Sequence, residues 1–236
     1  MGSSRLPGKM LADLGGVSTL ALLLRRVRQA TSLDDVIVAT TENSADDALA
    51  AAAEAEGARV FRGSEDDVLA RVVGAQRMMN SDLIVELNGD CPLIDPAIID
   101  RAVARYNEGN CDLVTTTARQ TYPPGMDVQV FSRAAIEWVE ENIDDPAVRE
   151  HVSLYFYEHP ERYRIANLDA PDDLSDPELR LLLDYDQDLQ VLRAVHGGLT
   201  AAHGDAYRLA DILSWLDANA SVREINRNCV ERAART

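Results

Sequence analysis

The first residues of the chain form a small, cationic stretch whose composition suits phosphate binding. It reads Gly2-Ser3-Ser4-Arg5-Leu6-Pro7-Gly8-Lys9. Glycines and small side chains let the backbone approach a ligand closely, and Arg5 and Lys9 add positive charge. Such a loop ahead of a helix can hold the phosphates of a nucleotide. It is not a Walker P-loop, which requires four residues between Gly and Gly-Lys and then Ser or Thr, because five residues and Met10 stand here.

Lys9 is the only lysine in a chain with 23 lysines and arginines. A sequence that uses arginine everywhere else keeps one compact ammonium in this loop, which favours a specific role for it. A solvent-exposed polar terminus is the alternative interpretation.

Two aspartates each follow an apolar run at the end of a predicted strand. Asp90 lies in Asn88-Gly89-Asp90-Cys91-Pro92, and Asp184 follows Leu181-Leu182-Leu183. Two carboxylates from different strands suit Mg²⁺, which takes one or two protein carboxylates and completes its shell with water and phosphate oxygens. Each aspartate alone could simply cap a turn. Together with the cationic loop, they favour a metal site.

Strands alternate with helices along most of the chain. Predicted strands cover 36–40, 59–61, 82–87, 112–116, 128–131, 163–168 and 179–183, and predicted helices cover 19–29, 44–56, 64–79, 96–106, 132–142, 146–158, 186–196, 207–218 and 221–234. This alternation predicts an α/β fold with a doubly wound, mostly parallel sheet, in which ligands bind at the carboxyl ends of the strands. We expect Arg25, Arg26 and Arg28 on the wet face of the first helix, and His196 at the surface.

Composition excludes several classes of partner. The 236 residues carry a net charge of −17, which would repel a nucleic acid backbone. Cys91, Cys111 and Cys229 show no CxxC spacing, which is typical of a reduced, cytoplasmic protein. The apolar run 20–24 is too short for a secretory signal or a membrane span. We therefore expect neither nucleic acid nor membrane as a partner.

Several short runs, in their order and spacing, resemble one enzyme family. They are Leu6-Pro7-Gly8-Lys9, Gly63-Ser64-Glu65-Asp66-Asp67-Val68-Leu69, Asn88 to Asp95, Tyr122-Pro123 with Gly125 to Phe131, Arg149-Glu150-His151, and Leu183-Asp184-Tyr185 with Asp188-Leu189. Across residues 2–190, the chain resembles the cytidylyltransferases that make CMP-activated acid sugars, in the branch named for spore-coat polysaccharide biosynthesis.

The resemblance implies a Rossmann-like nucleotidyltransferase fold and assigns roles to individual residues. Arg5 and Lys9 would bind the phosphates of CTP, and Asp90 and Asp184 would hold Mg²⁺, with Lys9, Arg5 and Asp90 acting in catalysis. Further nucleotide contacts fall to Gly2, Ser3, Ser4, Gly8, Arg71 and Asn88, and contacts to the sugar fall to Asp127, Arg149, Glu150 and His151. A solvated helix face is the alternative for Arg71, and a surface position is the alternative for His151.

The expected activity is transfer of CMP from CTP to an acid sugar, with release of pyrophosphate. Alternatives are a glycosyl- or nucleotidyltransferase using another nucleotide, and an inactive partner subunit. We expect a nucleotidyltransferase domain over 1–200, with 117–170 as a substrate lid and dimer region, and a helical extension over 201–236. A cytoplasmic homodimer is expected.

One departure concerns the start of the chain. The family has a hydrophobic first strand ending in Ala-Arg directly before the cationic loop, whereas Met1 stands here. A sheet without this central strand would leave backbone groups unpaired on both flanking strands. Either those strands close up or this chain is marginally stable. A version extended upstream by about ten residues, a strand with its turn, is expected to be more stable and more active.

Overall fold

The computed structural model describes residues 5–230, so Met1, Gly2, Ser3 and Ser4 of the cationic loop lie outside the described residues. Six strands and ten α-helices fill this range. The strands are β1 (Ile37–Thr41), β2 (Arg59–Gly63), β3 (Leu83–Glu86), β4 (Leu113–Thr115), β5 (Gln129–Ser132) and β6 (Ile165–Asn167). The helices are α1 (Thr19–Val27), α2 (Asp47–Ala55), α3 (Val68–Met79), α4 (Pro96–Asn107), α5 (Arg133–Asn142), α6 (Pro146–Glu150), α7 (Leu154–Glu158), α8 (Asp186–His203), α9 (Leu209–Ala218) and α10 (Ala220–Arg223).

The predicted α/β class is confirmed, and the described strands form two hydrogen-bonded sheets. β1 and β2 pair in parallel, and the second sheet has the order β3-β5-β4-β6. In the second sheet β4 and β6 are parallel, whereas β5 runs antiparallel to both β3 and β4. Within residues 5–230, no ladder joins β1 to β3, so a break separates the two sheets.

Helices cover both faces of the four-stranded sheet. Val85, Val114 and Val130 point to one face, where they pack with α1, α4, α8 and α9. The alternate residues, among them Leu113 and Phe131, point to the other face and pack against α3, α5 and α7. Because side chains alternate along a strand, each buried strand supplies apolar groups to both layers. The predicted double winding follows from this pattern.

Four local predictions are wrong. The predicted helix 221–234 is helical only as far as Arg223, the end of α10, within the described residues up to 230. Segment 179–183 is buried but forms no strand, because its backbone pairs with loops instead of a sheet edge. The predicted helix 146–158 is two short helices, α6 and α7. His196 is buried on α8 and lies 3.0 Å from the hydroxyl of Tyr207.

Arg26 is a further correction, since it is fully buried instead of lying on the wet face of α1. Its guanidinium donates to the carbonyl oxygens of Leu93 and Ile94 at 3.1 and 3.0 Å and to those of Asp205 and Tyr207 at 2.9 and 3.0 Å. It also lies 4.2 Å from the centre of the Tyr207 ring. Periodicity could not show this, because the partners lie far away in sequence.

Among the described residues, no helix combines the length and the apolar character that a membrane span requires.

Candidate active site

The described part of the cationic loop ends in a short 3-10 helix, Lys9–Leu11, that orients Lys9. Gly8 precedes this helix with φ 73°, in the left-handed region that glycine adopts without steric cost. The hydroxyl of Thr19, at the start of α1, donates to the carbonyl oxygen of Lys9 at 2.6 Å. The first turn of α1 therefore fixes the backbone that carries Lys9.

Asp90 and Asp184 are set side by side by a backbone contact. Asp90 lies in the turn after β3, where the amide of Cys91 donates to the carbonyl oxygen of Asn88 at 3.2 Å. The amide of Leu183 then donates to the carbonyl oxygen of Asp90 at 2.8 Å. This bond places Asp184, the next residue, beside the turn.

Gly125 lets segment 179–184 reach this position. It has φ +105°, and a Cβ there would lie only 2.5 Å from the carbonyl carbon of Leu181. Next to it, the amide of Leu181 donates to the carbonyl oxygen of Pro124 at 2.7 Å. Only glycine permits so close an approach with that backbone conformation.

Four charged side chains converge at this point, and we call Arg5, Lys9, Asp90 and Asp184 the charge cluster. Lys9 Nζ donates to Asp90 Oδ2 at 2.9 Å and to Asp184 Oδ1 at 2.8 Å. Arg5 Nη2 donates to Asp184 Oδ2 at 2.6 Å. The structure thus brings together two cationic residues near the start of the chain and two aspartates that lie 81 to 179 positions later in the sequence.

The pKa values within the charge cluster are set by burial and ion pairing acting in opposite directions. Burial raises the pKa of Asp184, but hydrogen bonds from Lys9 and Arg5 outweigh it and hold this pKa below its ordinary value. Burial lowers the pKa of Lys9, but Asp90 and Asp184 outweigh it and raise this pKa. Lys9 and Asp184 are therefore both charged at neutral pH.

Asp188, part of a motif quoted above but without an assigned role, holds the backbone at Asp184 in place. Its fully buried carboxylate accepts from the amides of Asp184 and Tyr185 at 2.9 and 3.0 Å. Arg180 Nε donates to the other carboxylate oxygen at 2.9 Å. The same contacts cap the first turn of α8, so the start of this helix and the position of Asp184 are one structural unit.

Asp127, which the resemblance assigns to the sugar, lies near Asp90, with the thiol of Cys91 between the two carboxylates. The thiol of Cys91 is 3.7 Å from Asp90 Oδ1 and 3.9 Å from Asp127 Oδ2. Burial, together with the charges of Asp127 and Asp90, raises the pKa of the Cys91 thiol well above its usual value. Cys91 is therefore a neutral packing residue at physiological pH, not a nucleophile.

Beyond Asp127 lies a group of polar side chains that sequence reasoning missed. The hydroxyl of Tyr157, on α7, lies 2.8 Å from Thr115 Oγ1, 2.9 Å from Gln129 Oε1 and 3.3 Å from Thr117 Oγ1. Strand register brings Glu86 opposite Gln129. The available signal was a polar residue at the end of each apolar strand, but the pairing of those strands is not visible in the sequence.

Arg71 and Asn88, both expected at the nucleotide, have different surroundings. Arg71 extends from α3 and donates to the carbonyl oxygens of Ser64 and Glu65. Its Nε is buried and has no hydrogen-bond partner within residues 5–230, so one donor is left for a ligand. Asn88 is exposed in the turn that carries Asp90.

Arg149 pairs with residues outside the charge cluster. Its Nε donates to Asp67 Oδ2 at 3.0 Å, and its Nη1 donates to the carbonyl oxygen of Glu140 at 2.7 Å. These contacts tie α6 to the start of α3 and to α5. Glu150 is exposed and His151 is half-buried at the end of α6, and neither contacts the charge cluster in the described part of the chain.

The donor set of the charge cluster fits a divalent cation. Within residues 5–230, no group of three or more His, Cys, Asp and Glu side chains is arranged for a metal. However, Asp90 and Asp184 both direct a carboxylate oxygen at one cation, the ammonium of Lys9, which takes the place that a metal would fill. Two carboxylates are sufficient for Mg²⁺ when substrate phosphates supply other ligands.

Comparison with known proteins gives consistent matches over nearly the whole chain. The model of the family described as "Cytidylyltransferase" matches residues 1–190. The spore coat polysaccharide biosynthesis protein SpsF of Bacillus subtilis is 34% identical over 83% of this chain and 82% of its own length. The 3-deoxy-manno-octulosonate cytidylyltransferase of an Anaeromyxobacter species is 34% identical over 89% of this chain and 84% of its own length. A solved cytidylyltransferase structure from Leptospira borgpetersenii superposes with a TM-score of 0.87 at 31% identity, covering 99% of this chain and 95% of that one.

Proposed function

The chain belongs to the cytidylyltransferase family, and we propose that it transfers CMP from CTP to an acid sugar and releases pyrophosphate. The observation that carries the proposal is the charge cluster, in which Lys9 and Arg5 meet Asp90 and Asp184 beyond the end of β3. Cationic side chains bind the phosphates, and the two carboxylates hold Mg²⁺.

In this proposal, the ion pairs of the charge cluster exchange partners when substrates bind. Lys9 and Arg5 turn from the aspartates to phosphate oxygens of CTP, and the aspartates become available to Mg²⁺. The metal neutralises charge on the phosphate oxygens when bound. The pairs seen here keep all four side chains in place beforehand, so that little reorganisation is needed when the ligands arrive.

The chemistry requires no covalent intermediate on the protein. A hydroxyl oxygen of the sugar attacks the α-phosphorus of CTP, the bond to the β-phosphate oxygen breaks, and the hydroxyl proton leaves to solvent. The protein holds the two anionic substrates in line and balances charge that develops on the phosphates. The neutral thiol of Cys91 is consistent with a supporting role in packing.

Two relatives support the choice of substrate class. The Anaeromyxobacter relative is named for 3-deoxy-manno-octulosonate, an acid sugar, and the Bacillus relative is named for spore coat polysaccharide biosynthesis. We extend both to this chain as a proposal: an acid sugar as acceptor, and surface or spore-coat polysaccharide synthesis as the destination of the product. A cytoplasmic location and a homodimer remain predictions.

Pyrophosphate release tests the proposal directly. The assay supplies Mg²⁺, each of the four nucleoside triphosphates in turn, and a panel of acid sugars that includes 3-deoxy-manno-octulosonate. Release with CTP alone is expected. Release with a different nucleotide would contradict the choice of CTP, and no release from a folded protein with any pair would favour a non-catalytic partner subunit.

Asp90→Asn provides the matching site test. Replacing one charge-stabilising carboxylate is expected to lower kcat by roughly 10²-fold or more, while the far-UV circular dichroism spectrum stays unchanged. Asp82→Asn, at an exposed aspartate before β3, is the control and is expected to retain full activity. Equal kcat for Asp90→Asn and wild type would remove Asp90 from the proposed metal site.

A further inference from the structure

Strand register places four polar side chains in one row across the second sheet. Glu86 pairs with Gln129, Gln129 with Thr115, and Thr115 with Asn167. We call these four residues the polar row. The row two positions away on the same face consists of apolar residues that pack under α3, α5 and α7: Ile84, Phe131, Leu113 and Ile165. The polar row therefore ends the hydrophobic layer at the carboxyl ends of β3, β4 and β6, where α/β sheets bind ligands.

Glu86 differs from the rest of the row because its side chain has no hydrogen-bond partner among residues 5–230. Tyr157 contacts Thr115 and Gln129, and Asn167 exchanges hydrogen bonds with the backbone of Arg119. The carboxylate of Glu86, in contrast, makes no hydrogen bond or ion pair with a residue between 5 and 230, and its Oε2 atom is buried. A buried carboxylate oxygen without a donor is unfavourable, which is typical of a group that meets its partner in a ligand.

The electrostatic surroundings of Glu86 are anionic. Burial raises the pKa of Glu86 to about 7. The carboxylates of Glu86 and Asp127 also act together with burial to raise the pKa of the Tyr157 hydroxyl, although hydrogen bonds with Thr115 and Thr117 oppose them. A second carboxylate on the ligand would be repelled here. A ligand ammonium would both donate a hydrogen bond and compensate the charge.

The polar row also lies next to the site of the proposed reaction. The negative charges of Glu86 and Asp127 both raise the pKa of the Tyr157 hydroxyl. The thiol of Cys91 lies between Asp127 and Asp90 and contacts both carboxylates. A sugar whose reacting hydroxyl lies at the charge cluster can therefore extend past Asp127 along the polar row.

We propose that Glu86 is a specificity-determining residue that binds an amino group on the acceptor, so that the preferred substrate is an amino-substituted acid sugar. This inference rests on the proposed function and narrows its substrate class. Glu86 acts by contact with the bound sugar and takes no part in binding CTP.

The test compares matched acceptors in wild type and Glu86→Gln. The acceptors are 3-deoxy-manno-octulosonate and analogues in which one hydroxyl at a time is replaced by an amine, each assayed with CTP for pyrophosphate release. For wild type, one analogue is expected to show a KM on the order of tenfold lower than the parent sugar, as a charge-assisted hydrogen bond provides. In Glu86→Gln, which keeps the size of the side chain, this preference is expected to vanish while the KM for CTP stays within about twofold.

Glu54→Gln, at an exposed glutamate on α2, is the control and should keep the preference. The inference is overturned if wild type prefers no amino analogue, or if the preference survives in Glu86→Gln. Failure of wild type to release pyrophosphate with every acceptor contradicts the proposed function instead. In that case, calorimetric titration of the amino analogues into the CTP-loaded protein tests Glu86 without turnover, and equal binding by wild type and Glu86→Gln would overturn the inference.

Discussion

Lys9 lies between the carboxylates of Asp90 and Asp184, so its removal would also leave these two negative charges facing each other. Without the ammonium, Arg5 at 2.6 Å and Arg180 at 3.6 Å are left to balance the charge of Asp184. Both the direct phosphate contact and the pre-arranged geometry would be lost. At this scale, the proposed nucleotide site depends on a side chain that occurs once in the chain.

Lys9→Ala is expected to weaken CTP binding by about tenfold or more, the value of a charge-assisted contact, and to affect sugar binding less. Lys9→Arg should restore binding only in part, because a planar guanidinium replaces a compact ammonium poorly between two carboxylates. Calorimetric titration with CTP measures both variants, with Arg227→Ala, at an exposed arginine, as the control. Unchanged affinity in Lys9→Ala would show that Lys9 does not bind the nucleotide.

Glu86 makes the stability of the protein depend on pH. Its pKa is raised in the folded state to about 7, from an ordinary value of 4.5, so the folded protein holds the proton more tightly than the unfolded chain does. The stabilisation is complete below about pH 4.5 and is lost as the pH rises toward 7. Glu86→Gln removes this titration and is expected to gain about 2–3 kcal/mol relative to wild type between pH 5 and pH 8.

Urea denaturation of both proteins at pH 5, 6, 7 and 8 measures this difference. The gap between Glu86→Gln and wild type should widen with pH and level off above pH 7. A gap that stays constant over this range would show that Glu86 ionises normally in the folded protein.

At the scale of elements, the position of Asp184 depends on the start of α8. Segment 179–184 has no sheet partner, and it is held by loop contacts and by the carboxylate of Asp188. Asp188 accepts from two backbone amides, from Arg180 and from the side-chain amide of Asn226 at 2.8 Å. The buried carboxylate of Asp188 therefore both caps α8 and holds the backbone that carries Asp184.

Asp188→Asn is expected to destabilise the protein by about 3 kcal/mol, because buried Arg180 loses its nearest carboxylate and the new amide turns a donor toward other donors. It should also lower kcat, since Asp184 loses its support. The melting temperature and pyrophosphate release measure the two effects. Asp186→Asn, at an exposed residue on the same helical turn, is the control. An equally small loss of melting temperature and of kcat in both variants would contradict this role of Asp188.

At the scale of the whole molecule, Arg26 connects three parts of the chain. From α1 it reaches the carbonyl oxygens of 93–94, which follow the Asp90 turn, and those of 205 and 207, which lie between α8 and α9. No carboxylate forms a salt bridge with it in the described part of the chain, so the carbonyl dipoles and the Tyr207 ring compensate its charge.

Arg26→Met is expected to lower the free energy of unfolding by about 3–5 kcal/mol, since methionine fills the space but leaves several buried carbonyl groups without donors. Arg25→Met, one position earlier and exposed, should change it by less than about 1 kcal/mol. Denaturant titration separates these outcomes. Equal stability of the two variants would mean that water replaces the guanidinium.

Much of the fold and part of the candidate site follow from the sequence alone. Apolar periodicity predicted most helices and strands to within a few residues, because it depends on neighbours close in sequence. The family was also correctly identified from short motifs. The position of Asp90 was predictable because the carboxyl ends of strands meet at one edge of an α/β sheet. Asp184 reaches the same point without a strand, through backbone contacts of segment 179–184 with Pro124 and Asp90.

The tertiary structure decided how individual polar side chains are used. Arg26 and Arg25 are adjacent and chemically alike, yet only Arg26 is buried, because its partners lie 67 to 181 positions away. Glu86 looks like any polar residue at the end of a strand until register places it beside Gln129 and leaves its Oε2 without a donor. Sequence patterns report local conformation, whereas burial and partner choice arise from contacts between distant segments, which exist only once the chain has folded.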